Sequence, residues 1–302
     1  MHFNHYFYTI KHTCIFFFFL SILFGCHKGE SPQVQYKNGA KYFDAHNYSE
    51  AIICYRQAAD QGLAAAQYNL GVMYYKGIGL RQNYSEALKL FRQAADQGDA
   101  DAQYNLAIMY QYAQGTNQNY SEALKLYLLA ANQGNVNAQL NLGVIYEQGM
   151  GTTKNFPEAL KWFQLAADQG NALAQYNLGI LYRDGLGISI NYPQALKLFR
   201  IAADRNIAPA QCCLGNMYKN GKGVKTNYPE AVKWYRLAAE QGDSGAQFNL
   251  GNAYYIGRGV KKNYDSAIKW YRLSAEQGFP YAEYSLGVMY VSSSLSDLNG
   301  TE

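Results

Sequence analysis

One spacing constrains this chain more than any other feature. Gln67, Gln103, Gln139, Gln175, Gln211 and Gln247 follow one another at steps of 36, and Glu283 continues the series. An alanine precedes each of them, from Ala66 to Ala282. A second column, Asn47, Asn83, Asn119, Asn155, Asn191, Asn227 and Asn263, keeps the same step of 36 without a break. A period of this length implies stacked supersecondary repeats, none able to bury its apolar face alone. The periodicity therefore overrides the two ordinary domains that length alone would suggest.

Each repeat reads as two helices. In the first segment Ala66, Leu70, Met73 and Tyr74 share one helical face; in the second, Ala87, Phe91, Ala94 and Ala95 do. The small residues Gly71 and Ala87 allow the pair to approach closely. Asn83 with Glu86 has the spacing of a helix-start box, repeated at Asn119/Glu122, Asn155/Glu158 and Asn227/Glu230. Pro157, Pro193 and Pro229 fall in the first turn, where a missing N–H does no harm. Gly98, Gly134, Gly170, Gly242 and Gly278 suit left-handed C-caps, with Asn206 in the fifth repeat. The turn between helices carries a glycine pair, such as Gly77/Gly79. The third repeat has Ala113/Gly115 there, so its turn is expected to be the least regular. Gln35-Tyr36 precedes Gln67-Tyr68 by only 32, so the first turn lacks four residues. The expected fold class is all-α, a right-handed α-solenoid of helix-turn-helix repeats. It spans residues 34–290 with about seven helix pairs plus a terminal helix, followed by a disordered polar tail, 291–302.

The N-terminus reads as an address. Residues 1–25 hold one lysine, Lys11, and no Arg, Asp or Glu. The apolar run Cys14–Gly25 falls well short of the roughly 20 residues a bilayer span needs, but fits a secretory signal. Leu23-Phe24-Gly25-Cys26 resembles a bacterial lipobox, in which the cysteine receives lipid, although Phe24 departs from the usual small residue. The expected layout is a signal peptide over 1–25, lipidation at Cys26 and a linker over 26–33. A plain cleaved signal and a retained hydrophobic anchor are the alternatives. The remaining composition is mixed: 26 basic against 22 acidic residues, a formal charge of +4. That argues against a disordered chain and against a nucleic-acid binder, which concentrates basic charge on one face.

The motif Ala66-x-x-x-Leu70-Gly71-x-x-Tyr74-x-x-Gly77-x-Gly79, continued by Asn83, Ala87, Ala94-Ala95 and Gly98, resembles the Sel-one-like repeat. This is a longer-turned relative of the tetratricopeptide repeat. The resemblance covers about residues 34–290. It implies a non-catalytic adaptor that binds a protein or peptide, in bacteria often exported to the envelope or beyond. In such solenoids the first helices line the concave face. By that alignment the inward residues include Tyr68, Tyr104, Tyr176 and Phe248, with Asn69, Asn105, Asn141, Asn177 and Asn249 beside them. Asn can donate to and accept from a peptide backbone at once, and aromatic rings supply rigid contact area. The competing reading is that both columns serve packing between repeats. Two neighbouring columns vary more and suit specificity better: Val72, Ile108, Val144, Ile180, Asn216, Asn252, and Tyr75, Gln111, Glu147, Arg183, Lys219, Tyr255.

No catalytic residue, metal site or cofactor is expected. H-E-x-x-H, G-x-S-x-G and phosphate-loop motifs do not occur, and beyond residue 25 the only histidines are His27 and His46. Some relatives with paired cysteines act on β-lactams. This chain lacks those pairs, so that activity is not carried over to it; a β-lactam-hydrolysing or peptidoglycan-acting envelope enzyme built on the same repeats stands as the alternative reading. Cys212 and Cys213 are adjacent, poorly placed to bond each other, and read as buried thiols. Asn47, Asn83 and Asn119 match glycosylation sequons but fall on the helix-start column. A eukaryotic secretory adaptor with glycan on them is a third reading. The partners expected are thus a protein or peptide, and a membrane through the lipid anchor, with no nucleic acid.

Overall fold

The computed structural model describes residues 29–299. Among these the chain is wholly helical between its turns: α1 (Pro32–Asp44), α2 (Tyr48–Asp60), α3 (Ala64–Lys76), α4 (Tyr84–Asp96), α5 (Ala100–Gln111), α6 (Tyr120–Asn132), α7 (Val136–Gln148), α8 (Phe156–Asp168), α9 (Ala172–Asp184), α10 (Tyr192–Asp204), α11 (Ala208–Asn220), α12 (Tyr228–Glu240), α13 (Ser244–Ile256), α14 (Tyr264–Ala275) and α15 (Pro280–Asn299). The odd-numbered helices through α13 open the repeats and the even-numbered ones close them. The fold class is an all-α repeat solenoid. The backbone divides into two compact bodies whose boundary in sequence lies between Ala138 and Gln139.

The helix starts follow the asparagine column. Asn47, Asn83, Asn119, Asn155, Asn191, Asn227 and Asn263 each accept a hydrogen bond from the backbone N–H three residues on. Each such cap is worth about 1 kcal/mol relative to alanine. At the other end of the pair, Gly62, Gly98, Gly134, Gly170, Gly242 and Gly278 all have positive φ, and Asn206 takes the same conformation at φ 61°. The turn of the third repeat is indeed the exception. Ala113 is held at φ 56° where the other repeats with a full-length turn have glycine, and α5 ends a residue early, at Gln111. In the first repeat three residues separate α1 from α2, and His46 adopts φ 58° to make the shortened turn.

Within a pair, glycine on the first helix meets an aromatic ring on the second. A Cβ added at Gly71 would lie 2.8 Å from the Phe91 ring, and at Gly179, 2.7 Å from the Phe199 ring. Phe91, Phe163 and Phe199 are fully buried this way. Burial of such a side chain contributes about 2–3 kcal/mol, which is why the backbone must stay clear at these points. In the third repeat Ala107 takes the glycine place opposite Tyr127, and both are fully buried.

Two boundaries differ from expectation. Helix α1 begins at Pro32, inside the segment expected to be linker. Helix α15 continues through Asn299, so residues 291–299 are helical where a disordered tail was expected. No glycine or proline interrupts the backbone between Gly287 and Gly300, so nothing in that stretch terminates the helix. The expected signal peptide, the lipobox and Cys26 lie outside the described residues. Cys54 is fully buried. Among the described residues no helix is long and apolar enough to cross a membrane.

Candidate functional site

The glutamine column proves to be a hydrogen-bonded seam. In the first body, Gln67 is 4% exposed; its Nε2 donates to the Ala59 carbonyl at 3.2 Å, and its Oε1 accepts from Gln97 Nε2 at 2.7 Å. Gln103 repeats this with Ala95 and Gln133, and in the second body Gln211 repeats it with Ala203 and Gln241. Each glutamine thus ties the first helix of a repeat to the preceding repeat and to the second helix of its own. A buried amide satisfied at both ends fixes register where an apolar contact would let the helices slide. The fifth repeat breaks the rule. Arg205 stands where the other repeats have the donating glutamine and reaches instead to the Gly170 carbonyl. Gln175 still donates to Ala167 at 3.3 Å, but its buried Oε1 is left without a hydrogen bond.

The nine residues expected to face inward are all half-buried: Tyr68, Asn69, Tyr104, Asn105, Asn141, Tyr176, Asn177, Phe248 and Asn249. The aromatics pack against the ring of their own second helix, with centroids 5.9 Å apart for Tyr68–Phe91 and Tyr104–Tyr127, 6.0 Å for Tyr176–Phe199 and 5.8 Å for Phe248–Tyr271. Burial pushes the Tyr176 hydroxyl up to about 12, so it remains a neutral donor at physiological pH. The asparagines reach back one repeat. Asn69 Nδ2 donates to Tyr36 Oη at 3.3 Å, Asn105 Nδ2 to Tyr68 Oη at 3.5 Å, and Asn249 hydrogen-bonds the Cys212 thiol. For Asn177 the corresponding place one repeat back is Leu140, which has no hydroxyl to offer. The two columns therefore form an aromatic–amide ladder within each body, and part of their polar capacity is already engaged between repeats.

The variable columns divide. Asn216 and Asn252 look like specificity positions in sequence, but their Oδ1 atoms accept from Tyr235 Oη at 2.7 Å and Tyr271 Oη at 2.8 Å. Where the second helix carries Phe91, Phe163 or Phe199, the matching residue is the apolar Val72, Val144 or Ile180. The variation follows the need to satisfy a buried phenol. In the next column Tyr75 donates to Gln114 at 2.8 Å, Gln111 accepts from Tyr127 at 2.7 Å, and Arg183 pairs with Asp184 at 2.6 Å. Lys219 is exposed and has no such partner, because Asn220 takes the place of Asp184.

Lys219 borders a cavity of about 280 Å³ framed by α11, α12, α13 and the following turn. Val232, Tyr235 and Ala253 wall it, and Ile256 and Arg258 lie at its mouth. Neither Ile256 nor Arg258 belongs to the inward columns. Lys219, Asn249 and Asn252, which also line it, were column candidates in the sequence; for Ile256 the signal is that earlier repeats carry Lys76, Tyr112, Gln148, Asp184 and Asn220 at that place.

The cysteine pair offers little reactivity. Burial raises both thiols, Cys213 to about 11, and Cys213 Sγ accepts from Arg183 Nη1 at 3.4 Å. Both are free thiols, protonated at neutral pH. Among the described residues no group of three or more His, Cys, Asp or Glu is placed to hold a metal ion.

The Sel1 repeat pattern matches seven consecutive stretches, residues 36–63, 64–99, 100–135, 136–171, 172–207, 208–243 and 244–279. The chain belongs to the Sel1 repeat family. Sel1 repeat proteins are generally protein-interaction scaffolds, and generally non-catalytic. Among solved structures, the chain is similar to c5321, a protective antigen of uropathogenic Escherichia coli strains displaying an SLR fold. The identity is 34%, the TM-score 0.79, and the match covers 86% of this chain and 56% of that one. The chain thus spans little more than half of that protein. It is also similar to a Sel1 repeat protein from Oxalobacter formigenes, at 30% identity and TM-score 0.72, covering 80% of this chain and 96% of that one. No curated protein matches.

Proposed function

We propose that this Sel1 repeat protein is an exported, non-catalytic scaffold, anchored through lipid on Cys26, that binds a protein or peptide segment on the first-helix side of one of its bodies. The observation that carries the binding face is the aromatic–amide ladder, of α3 and α5 in the first body and of α9 and α13 in the second. Its rings pack against their second-helix partners, and part of each side chain remains accessible. Rigid aromatic surface loses little entropy on binding, and adjacent amides can pair with an extended backbone. The export reading is supported by the apolar run Cys14–Gly25 ending at Cys26.

Site-specific photo-crosslinking tests the face. Probes at Asn177 and Asn249 are expected to capture a discrete partner in the producing cell, whereas probes at Lys197 and Arg236 on the second helices capture none. Adducts confined to the second helices would overturn the proposal. Intact mass of the membrane fraction tests the anchor. The expected species begins at Cys26 and carries lipid; an unmodified full-length chain would contradict export.

A further inference from the structure

We infer that the cavity between α11, α12 and α13 is a recognition pocket for an acidic protein segment that inserts one bulky apolar side chain. This deepens the scaffold reading and rests on it. Size is the first argument. A volume of about 280 Å³ lies below the usual range for cofactors and drug-sized ligands, roughly 300–1,000 Å³, and suits one or two side chains. The lining is the second. Val232 and Tyr235 form a buried apolar wall, while Ile256 is 53% exposed at the mouth. That is a large apolar side chain left to water beside a cavity, at a place where most repeats are polar.

Charge is the third argument, and it selects the partner. Lys219 and Arg258 flank the cavity, and both are exposed. The ion pairs among the described residues are Lys125–Glu122, Lys161–Glu158, Arg183–Asp184 and Lys233–Glu230, so neither cation is neutralised. Arg258 is held over the Tyr228 ring at 5.4 Å, which orients the guanidinium without cancelling its charge. Lys222, Lys225, Lys261 and Lys262 extend the basic edge along the turns of the sixth and seventh repeats, with no acidic residue in either turn. Asn252 accepts from Tyr271 through Oδ1, which leaves its Nδ2 hydrogens as donors toward the cavity. The polar groups at the pocket are therefore chiefly donors and cations. They match carboxylates and backbone carbonyls, while the apolar wall asks for a side chain between them. An anionic lipid surface would satisfy the cations but not the walled, side-chain-sized cavity.

Selection from a random octapeptide display library on the immobilised full-length chain tests this. The expected pool is enriched in Asp and Glu around a single Leu, Ile, Met or Phe. Its affinity is expected to fall about tenfold with Lys219→Glu, similarly with Arg258→Glu, and to weaken with rising salt. Ile256→Ser is expected to reduce affinity without changing the salt dependence. These positions are exposed, and unchanged helical circular dichroism confirms that the variants fold. Binding peptides without acidic enrichment, or indifferent to all three substitutions, would overturn the pocket while leaving the scaffold reading intact. Enrichment of no peptide at all would count against both. Retention on phosphatidylglycerol vesicles that is lost in the same variants, with no peptide binding, would replace the acidic segment with a membrane surface.

Discussion

Near its start α11 carries Gln211, buried and hydrogen-bonded to the Ala203 carbonyl and to Gln241. Two turns later it carries Lys219, exposed and unpaired beside a cavity. Gln211 has a counterpart in every neighbouring repeat; the column of Lys219 changes from repeat to repeat, through Tyr75, Gln111, Glu147, Arg183 and Tyr255. The contrast teaches how to read a repeat protein physically. A position kept identical between repeats is where each repeat must solve the same packing problem. A position that changes is either compensating for a changed neighbour, as Asn216 does for Tyr235, or is free to meet something outside the chain.

The sharpest way to break this division is to crowd an identical position. Gly179→Leu places a side chain where a Cβ already lies 2.7 Å from the Phe199 ring, and should destabilise by about 3 kcal/mol in denaturant titration. Gln103→Ala removes the partner of both the Ala95 carbonyl and Gln133, at a cost of about 2 kcal/mol in the same measurement. Arg205→Gln runs the other way. It restores a donor for the orphaned Gln175 Oε1 and should stabilise by about 1 kcal/mol, visible as a raised melting temperature. Ala113→Gly relieves a left-handed alanine and should gain about 0.5–1 kcal/mol. Lys219→Ala, at the variable extreme, should leave the melt unchanged within about 0.5 kcal/mol. A marked loss there would erase the distinction.

Much of the fold was legible because its signals are local. The asparagine caps, the left-handed Asn206 and the irregular third turn each follow from one residue's own conformational preference. The start of α1 and the extent of α15 were not, since helix ends depend on what terminates them and both segments lie at the edges of the repeat array. The role of the glutamines was hidden for a different reason. Period 36 shows that a residue recurs but not whether its amide points to water or to a neighbouring carbonyl. The aromatic–amide columns were visible in sequence, but their bonds back to the preceding repeat were not. Lys219, Asn249 and Asn252 were visible as column candidates, but the cavity was not, because it joins them to Val232 and Arg258 from other elements.

The most direct test of the account pairs a melt with a binding curve for two substitutions on the same helix. Gln211→Ala and Lys219→Glu would each be measured against the wild type with one acidic octapeptide from the selected pool. The account predicts that Gln211→Ala lowers the melting temperature while the folded protein keeps its affinity. Lys219→Glu should keep the melting temperature and lose about tenfold in affinity. Loss of both properties together in either variant, or the reverse assignment, would contradict the separation of seam from surface on which the account rests.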